Sequence, residues 1–160
     1  MAQVIITDQQ AVAESYAMWV RTIILGAVTG LIFWLLTIIV ARYVIDPLAC
    51  GRAFNAALCV DSTPLAGNIA AILAAVVGVI AMVRIGAARP IVIAVATAAL
   101  LWDLGAWTDG LFWLEAVAWS VILYAAVFAL FAWITRYANL LITIILSVLI
   151  VLIIRIALVL

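Results

Sequence analysis

An all-α integral membrane protein, a bundle of about five transmembrane helices joined by short loops, is the fold class this sequence predicts. Three observations carry that expectation. Hydrophobic residues make up 72% of the 160 residues and charged residues only 9%. Mean hydropathy is +1.51. The apolar residues also fall into five successive runs, each near the roughly 20 residues that cross a hydrocarbon core of about 30 Å. Hydrocarbon offers the backbone no hydrogen-bond partner, so such runs close their N–H and C=O groups within helices. Five spans leave little chain for anything else, and the whole of 1–160 reads as one transmembrane domain.

The elements follow in order. Residues 1–17 carry Asp8 and Glu14 and read as a cytosolic N-terminal segment. Thr7 and Gln10 have the spacing of a helix cap there. The segment lacks the basic-then-apolar pattern of a cleaved signal peptide, so the first apolar run reads as a retained span. That span is expected at 18–41, flanked by Arg21 and Arg42 and stopped by Asp46-Pro47, because proline does not continue a helix easily. Residues 42–63 form the longest polar loop and hold both cysteines, Cys50 and Cys59. The second span, 64–83, starts at Pro64, a favoured residue at the head of a helix. A basic turn from Arg84 to Arg89 leads to a third span at 90–107, which is short and interrupted by Asp103. Thr108-Asp109-Gly110 is a turn. The fourth span, 111–135, contains Glu115. Arg136-Tyr137 makes another short turn, and the fifth span covers 139–160. A re-entrant hairpin in place of the third and fourth crossings is the alternative, but their combined apolar length favours two full spans.

Helices in lipid associate through small residues that let backbones approach closely. Gly67, Ala71, Ala74 and Gly78, with Ala81, trace one face of the second span at steps of three and four. Ala96, Ala99, Asp103 and Ala106 share a face of the third. Glu115, Ala118, Ile122, Ala125, Ala129 and Ala132 form a stripe on the fourth. Gly26 and Gly30 make a GxxxG pair in the first, for packing inside the bundle or, alternatively, between two copies. The fifth span is Leu, Ile and Val all round, broken by Thr143, Ser147 and Arg155, and reads as peripheral. Trp102, Trp107 and Trp113 fall near one membrane surface and Trp19 and Trp133 near the other, the pattern of an aromatic belt.

Charges inside spans are costly and call for partners. Asp103 and Glu115 each lie about 6 Å in from the turn between their spans, by helical rise, and Arg155 about 24 Å beyond Asn139. All three therefore approach the same surface. Both carboxylates sit on small-residue stripes, so both are expected to face the bundle interior, with Arg155, Arg42 and Asn68 at hand. The group reads as an ion pair that locks helix order or as a site for a cation or proton.

Composition excludes much else. All seven cations are arginine and no histidine is present. Bis-His haem, the commoner zinc sites, histidine-based triads and a retinal Schiff base are therefore not expected. No basic segment suits nucleic acid. The GxSxG, HExxH, CxxC and glycine-rich phosphate motifs are absent. No cofactor, metal or catalytic residue is expected. Arginines near span ends divide four to three in favour of a cytoplasmic N-terminus and an outer C-terminus. The Cys50–Cys59 loop then lies outside, where a disulfide persists. The expected setting is a bacterial inner (plasma) membrane. The expected function is that of a non-enzymatic structural or accessory subunit of a larger assembly, bound to lipid and to other subunits or to itself. The alternative is a small oligomeric channel or transporter for protons or small cations using Asp103 and Glu115.

Overall fold

The computed structural model describes residues 2–50, 62–87, 89–137 and 139–159, with side chains described within 17–48, 62–87, 89–136 and 139–157. Among these residues the chain is helical, without strands. The first helix, α1 (Ala2–Val40), continues as a π-helical stretch, Ala41–Cys50. Then come α2 (Ser62–Arg84), α3 (Pro90–Leu100), the single turn α4 (Leu104–Trp107), α5 (Trp113–Tyr137) and α6 (Leu140–Val159). Four helical segments are long and apolar enough to cross a membrane: Ala17–Leu48, Ser62–Arg84, Trp113–Arg136 and Leu140–Ala157. Pro90–Leu100 is a shorter apolar helix. The protein is an all-α bundle of membrane-spanning helices.

Helix α1 has 39 residues, about 58 Å by rise per residue, so it runs well past a hydrocarbon core at its N-terminal end. It begins at Ala2 rather than at Thr7. Nor does Pro47 stop the first span. The chain widens into π-helical turns from Ala41, with Pro47 inside them. A proline interior to an α-helix clashes with the carbonyl four residues back, and the i→i+5 pattern of a π-helix loosens the turn where that clash would fall.

The third span is also not one helix. It breaks after Leu100 and restarts at Leu104. It still returns alongside α2, from the Arg84–Pro90 turn to a close contact between Gly105 and Gly67. Gly67 to Arg84 is roughly 25 Å of α2 by rise, and the broken segment runs back along that length.

The core lies among α1, α2, α3 and α5. Phe33, Met82, Ile93, Leu104, Tyr124, Phe128 and Phe131 are its largest apolar or aromatic buried side chains. The α2 stripe packs as its spacing implies, with Gly67, Ala71, Ala74 and Gly78 all buried. The GxxxG pair of α1 is used within the molecule. A Cβ at Gly26 would stand 2.8 Å from the Ala125 Cα, and one at Gly30 would stand 2.5 Å from the Ser120 carbonyl oxygen. That face is filled by α5, which leaves no room for a second copy there. Six buried or part-buried hydroxyls, those of Thr22, Thr29, Thr37, Thr97, Ser120 and Thr135, turn back onto carbonyls three or four residues earlier in their own helices.

The stripe expected on α5 is corrected. Its inward residues are Ala116, Ser120, Tyr124, Val127, Phe128, Phe131 and Ile134. Ala118 and Ile122 are exposed, and Ala125, Ala129 and Ala132 lie at the margin of the core. The reason is complementarity of size. Gly26 and Gly30 let the α5 main chain approach α1 at Ala125 and Ser120, and Gly78 on α2 admits the Phe128 ring, so the face carrying Ser120, Tyr124 and Phe128 turns inward.

Candidate functional site: a clamped break in the third span

The break brings the polar residues together. Leu101 and Asp103 take bridge-region backbone angles (φ −98°, ψ 20° and φ −96°, ψ 15°). The Leu101 N–H still donates to the Thr97 carbonyl at 2.9 Å, and the Leu104 N–H to the Leu101 carbonyl at 3.1 Å. The last carbonyls of α3 have no intrahelical partner. At membrane depth such a backbone persists only where protein groups satisfy it.

Two neighbouring helices do so. From α6, Arg155 donates through Nε and Nη2 to the Ala99 carbonyl, at 3.2 and 3.1 Å. Its Nη1 pairs with the Asp103 carboxylate. A cation bound at a helix C-terminus also meets the negative end of the helix dipole. From α2, the Asn68 amide closes the other side. Oriented so that both its atoms are satisfied, its nitrogen donates to the Trp102 carbonyl and its oxygen accepts from the Trp102 indole at 3.2 Å. The short α4 is held against α2 by the Gly67–Gly105 contact.

Of the five residues expected here, Asp103, Arg155 and Asn68 meet at the break. Glu115 and Arg42 do not. Both are exposed. Glu115 goes outward because its stripe does: Glu115, Ala118, Trp119 and Ile122 are all on the exposed side of α5. Ala106, expected on the Asp103 face, is exposed too, because the break turns α4 relative to α3. Cys59 and the side chain of Cys50 lie outside the described residues, so the expected disulfide does too. Sequence reasoning missed the backbone acceptors, Ala99 and Trp102, and it missed Gly105. The signal for a break was there in part: a short span with a carboxylate near its end.

A second arginine fixes α6 at its other end. Arg89, in the left-handed region at φ 56° just before Pro90, donates from Nη1 to the Thr143 hydroxyl at 2.7 Å. Between the two arginines α6 touches the bundle sparingly, and most of its apolar side chains are exposed, as a peripheral span requires.

Chemically, the break is a closed arrangement. Asp103 is compensated by Arg155, with side-chain exposures of 43% and 30%. No group of three potential metal-ligating side chains occurs among the described residues. No family model, curated protein or solved structure matches the chain.

Proposed function

We propose that the protein is a non-enzymatic structural or accessory subunit of a larger membrane assembly. The observation that supports this is the outer face of α5. Glu115, Ala118, Trp119 and Ile122 lie on that face and are exposed. Ionisable side chains within spans face protein or a water-filled cavity, not lipid, so Glu115, in the first turn of α5, calls for a partner that none of the described residues supplies. Ala118 lets another helix approach closely. The arginine-bearing end, with Arg21, Arg84, Arg89 and Arg136, fits the cytoplasmic side of a plasma membrane. The Cys50–Cys59 loop then lies outside as a disulfide.

Gentle detergent extraction followed by mass spectrometry of co-purifying chains tests the reading. The expected result is a stoichiometric membrane partner that Glu115→Leu weakens. Isolation of the chain alone, with no crosslink to another membrane protein in intact cells, overturns it. The alternative, an oligomeric channel or transporter, requires a path between copies, because aromatic rings fill the centre of one bundle. Proton or cation flux into liposomes holding only this protein would establish it.

A further inference from the structure

An apolar groove of about 350 Å³ runs between α3 and α6. Ile91, Val95 and Ala99 form one wall and Ile144, Val148 and Leu152 the other. It exists because of how α6 is attached. Arg89 and Arg155 hold α6 to α3 at Thr143 and at Ala99–Asp103. Those two points are about 18 Å apart along α6. Between them, small side chains such as Ala96 and Ala99 do not fill the space. The geometry points to an anionic phospholipid as its occupant, with one acyl chain in the groove and the headgroup phosphate at Arg89.

Three observations converge on that ligand. The walls are apolar but for Ser147, whose hydroxyl is buried, and at this depth the surrounding solvent is hydrocarbon, which suits an acyl chain and not water. From Ile91 to Ala99 the groove is about 12 Å long, close to one leaflet of a core of about 30 Å. Charge complementarity then sets the direction. The groove opens beside Arg89 at the end that carries Arg21, Arg84 and Arg136. The described acidic side chains, those of Asp46, Asp103, Asp109 and Glu115, all lie towards the opposite end. A guanidinium has five N–H donors, so Arg89 can meet a phosphate in addition to the groups it already holds, the Thr143 hydroxyl among them. The far end of the groove is closed by the Arg155 clamp. This inference does not depend on the protein's being a subunit of an assembly.

The test is native mass spectrometry of the full chain after delipidation and re-addition of phosphatidylglycerol or phosphatidylcholine. The wild type is expected to retain phosphatidylglycerol in preference. Arg89→Gln should weaken that preference about fivefold, the size of a single arginine's attraction to an anionic membrane surface. Val95→Trp and Val148→Trp fill the groove from exposed positions, so they spare the core, and should abolish retention of both lipids. Retention by both tryptophan variants at the wild-type level overturns the site. So does an unchanged preference in Arg89→Gln. A change of oligomeric state in the tryptophan variants, with lipid retention intact, would mean that protein and not lipid fills the groove, and would overturn the inference as well.

Discussion

Gly67 and Gly105 meet backbone to backbone: a Cβ placed on either would stand 2.8 Å from the other's Cα. Neither glycine needs a left-handed conformation there. What the contact requires is the absence of a side chain, so that α4 can lie against α2 and keep Trp102 within reach of Asn68. Gly67→Ala and Gly105→Ala should each destabilise by ~1–3 kcal/mol through overpacking. Unfolding titrations in mixed micelles measure this. Wild-type stability in either variant would mean that the two helices stand further apart.

Arg155 and Asp103 should be unequal partners. Arg155→Met removes the ion pair and both hydrogen bonds to the Ala99 carbonyl, whereas Asp103→Asn removes only the charge. The arginine change should therefore cost more, by ~1 kcal/mol or above, the net worth of a hydrogen bond. A double-mutant cycle should show coupling of ~0.5–3 kcal/mol. Additive effects would contradict direct contact.

Asn68→Leu keeps the bulk of the side chain and strips its polar atoms. The Trp102 carbonyl and indole N–H both lose their partner. The expected loss is ~1–3 kcal/mol for stranded polar groups, with faster hydrogen–deuterium exchange confined to residues near 101–107. A uniform rise in exchange over all helices would argue against a local clamp.

Tyr124 offers the opposite sign. Its hydroxyl is buried without a hydrogen-bond partner among the described residues, while its ring packs on Phe33 and Phe128 at centroid distances of 5.3 and 6.3 Å. Tyr124→Phe keeps the ring and removes an unpaired polar atom. Stability should hold or rise by up to ~1 kcal/mol. A clear loss would reveal a partner for the hydroxyl.

Cys50 and Cys59 should be bridged in protein taken from an oxidising compartment, at a gain of ~2–3 kcal/mol by the chain-entropy account. Maleimide labelling of intact cells, before and after reduction, decides both pairing and side. Labelling only from the cytosol would reverse the orientation.

Much of the architecture is legible in the sequence because bilayer thickness constrains it. Segment ends fall within a few residues of expectation except at the start of α1, at Pro47 and at the break. The α2 stripe is readable because its glycines and alanines share one face against bulkier residues elsewhere. On α5 small residues occupy more than one face. Periodicity alone does not say which face turns inward; the α1 glycines decide it by admitting the α5 main chain, and Gly78 by admitting the Phe128 ring. The pairing of Asp103 with Arg155 follows from shared depth. The break does not, since Leu101-Trp102-Asp103 contains neither glycine nor proline, and its partners are main-chain carbonyls that no side-chain pattern records.

The Arg155 clamp also bears on biogenesis. Ala99 precedes its guanidinium partner by 56 residues and Asp103 by 52. While the ribosome makes the intervening chain, the unwound stretch has Asn68 on one side and nothing on the other. Its exposed carbonyl and carboxylate must remain at the wet rim of the translocation machinery until α6 emerges. Helix α6, made after the third span, thus acts as its latch.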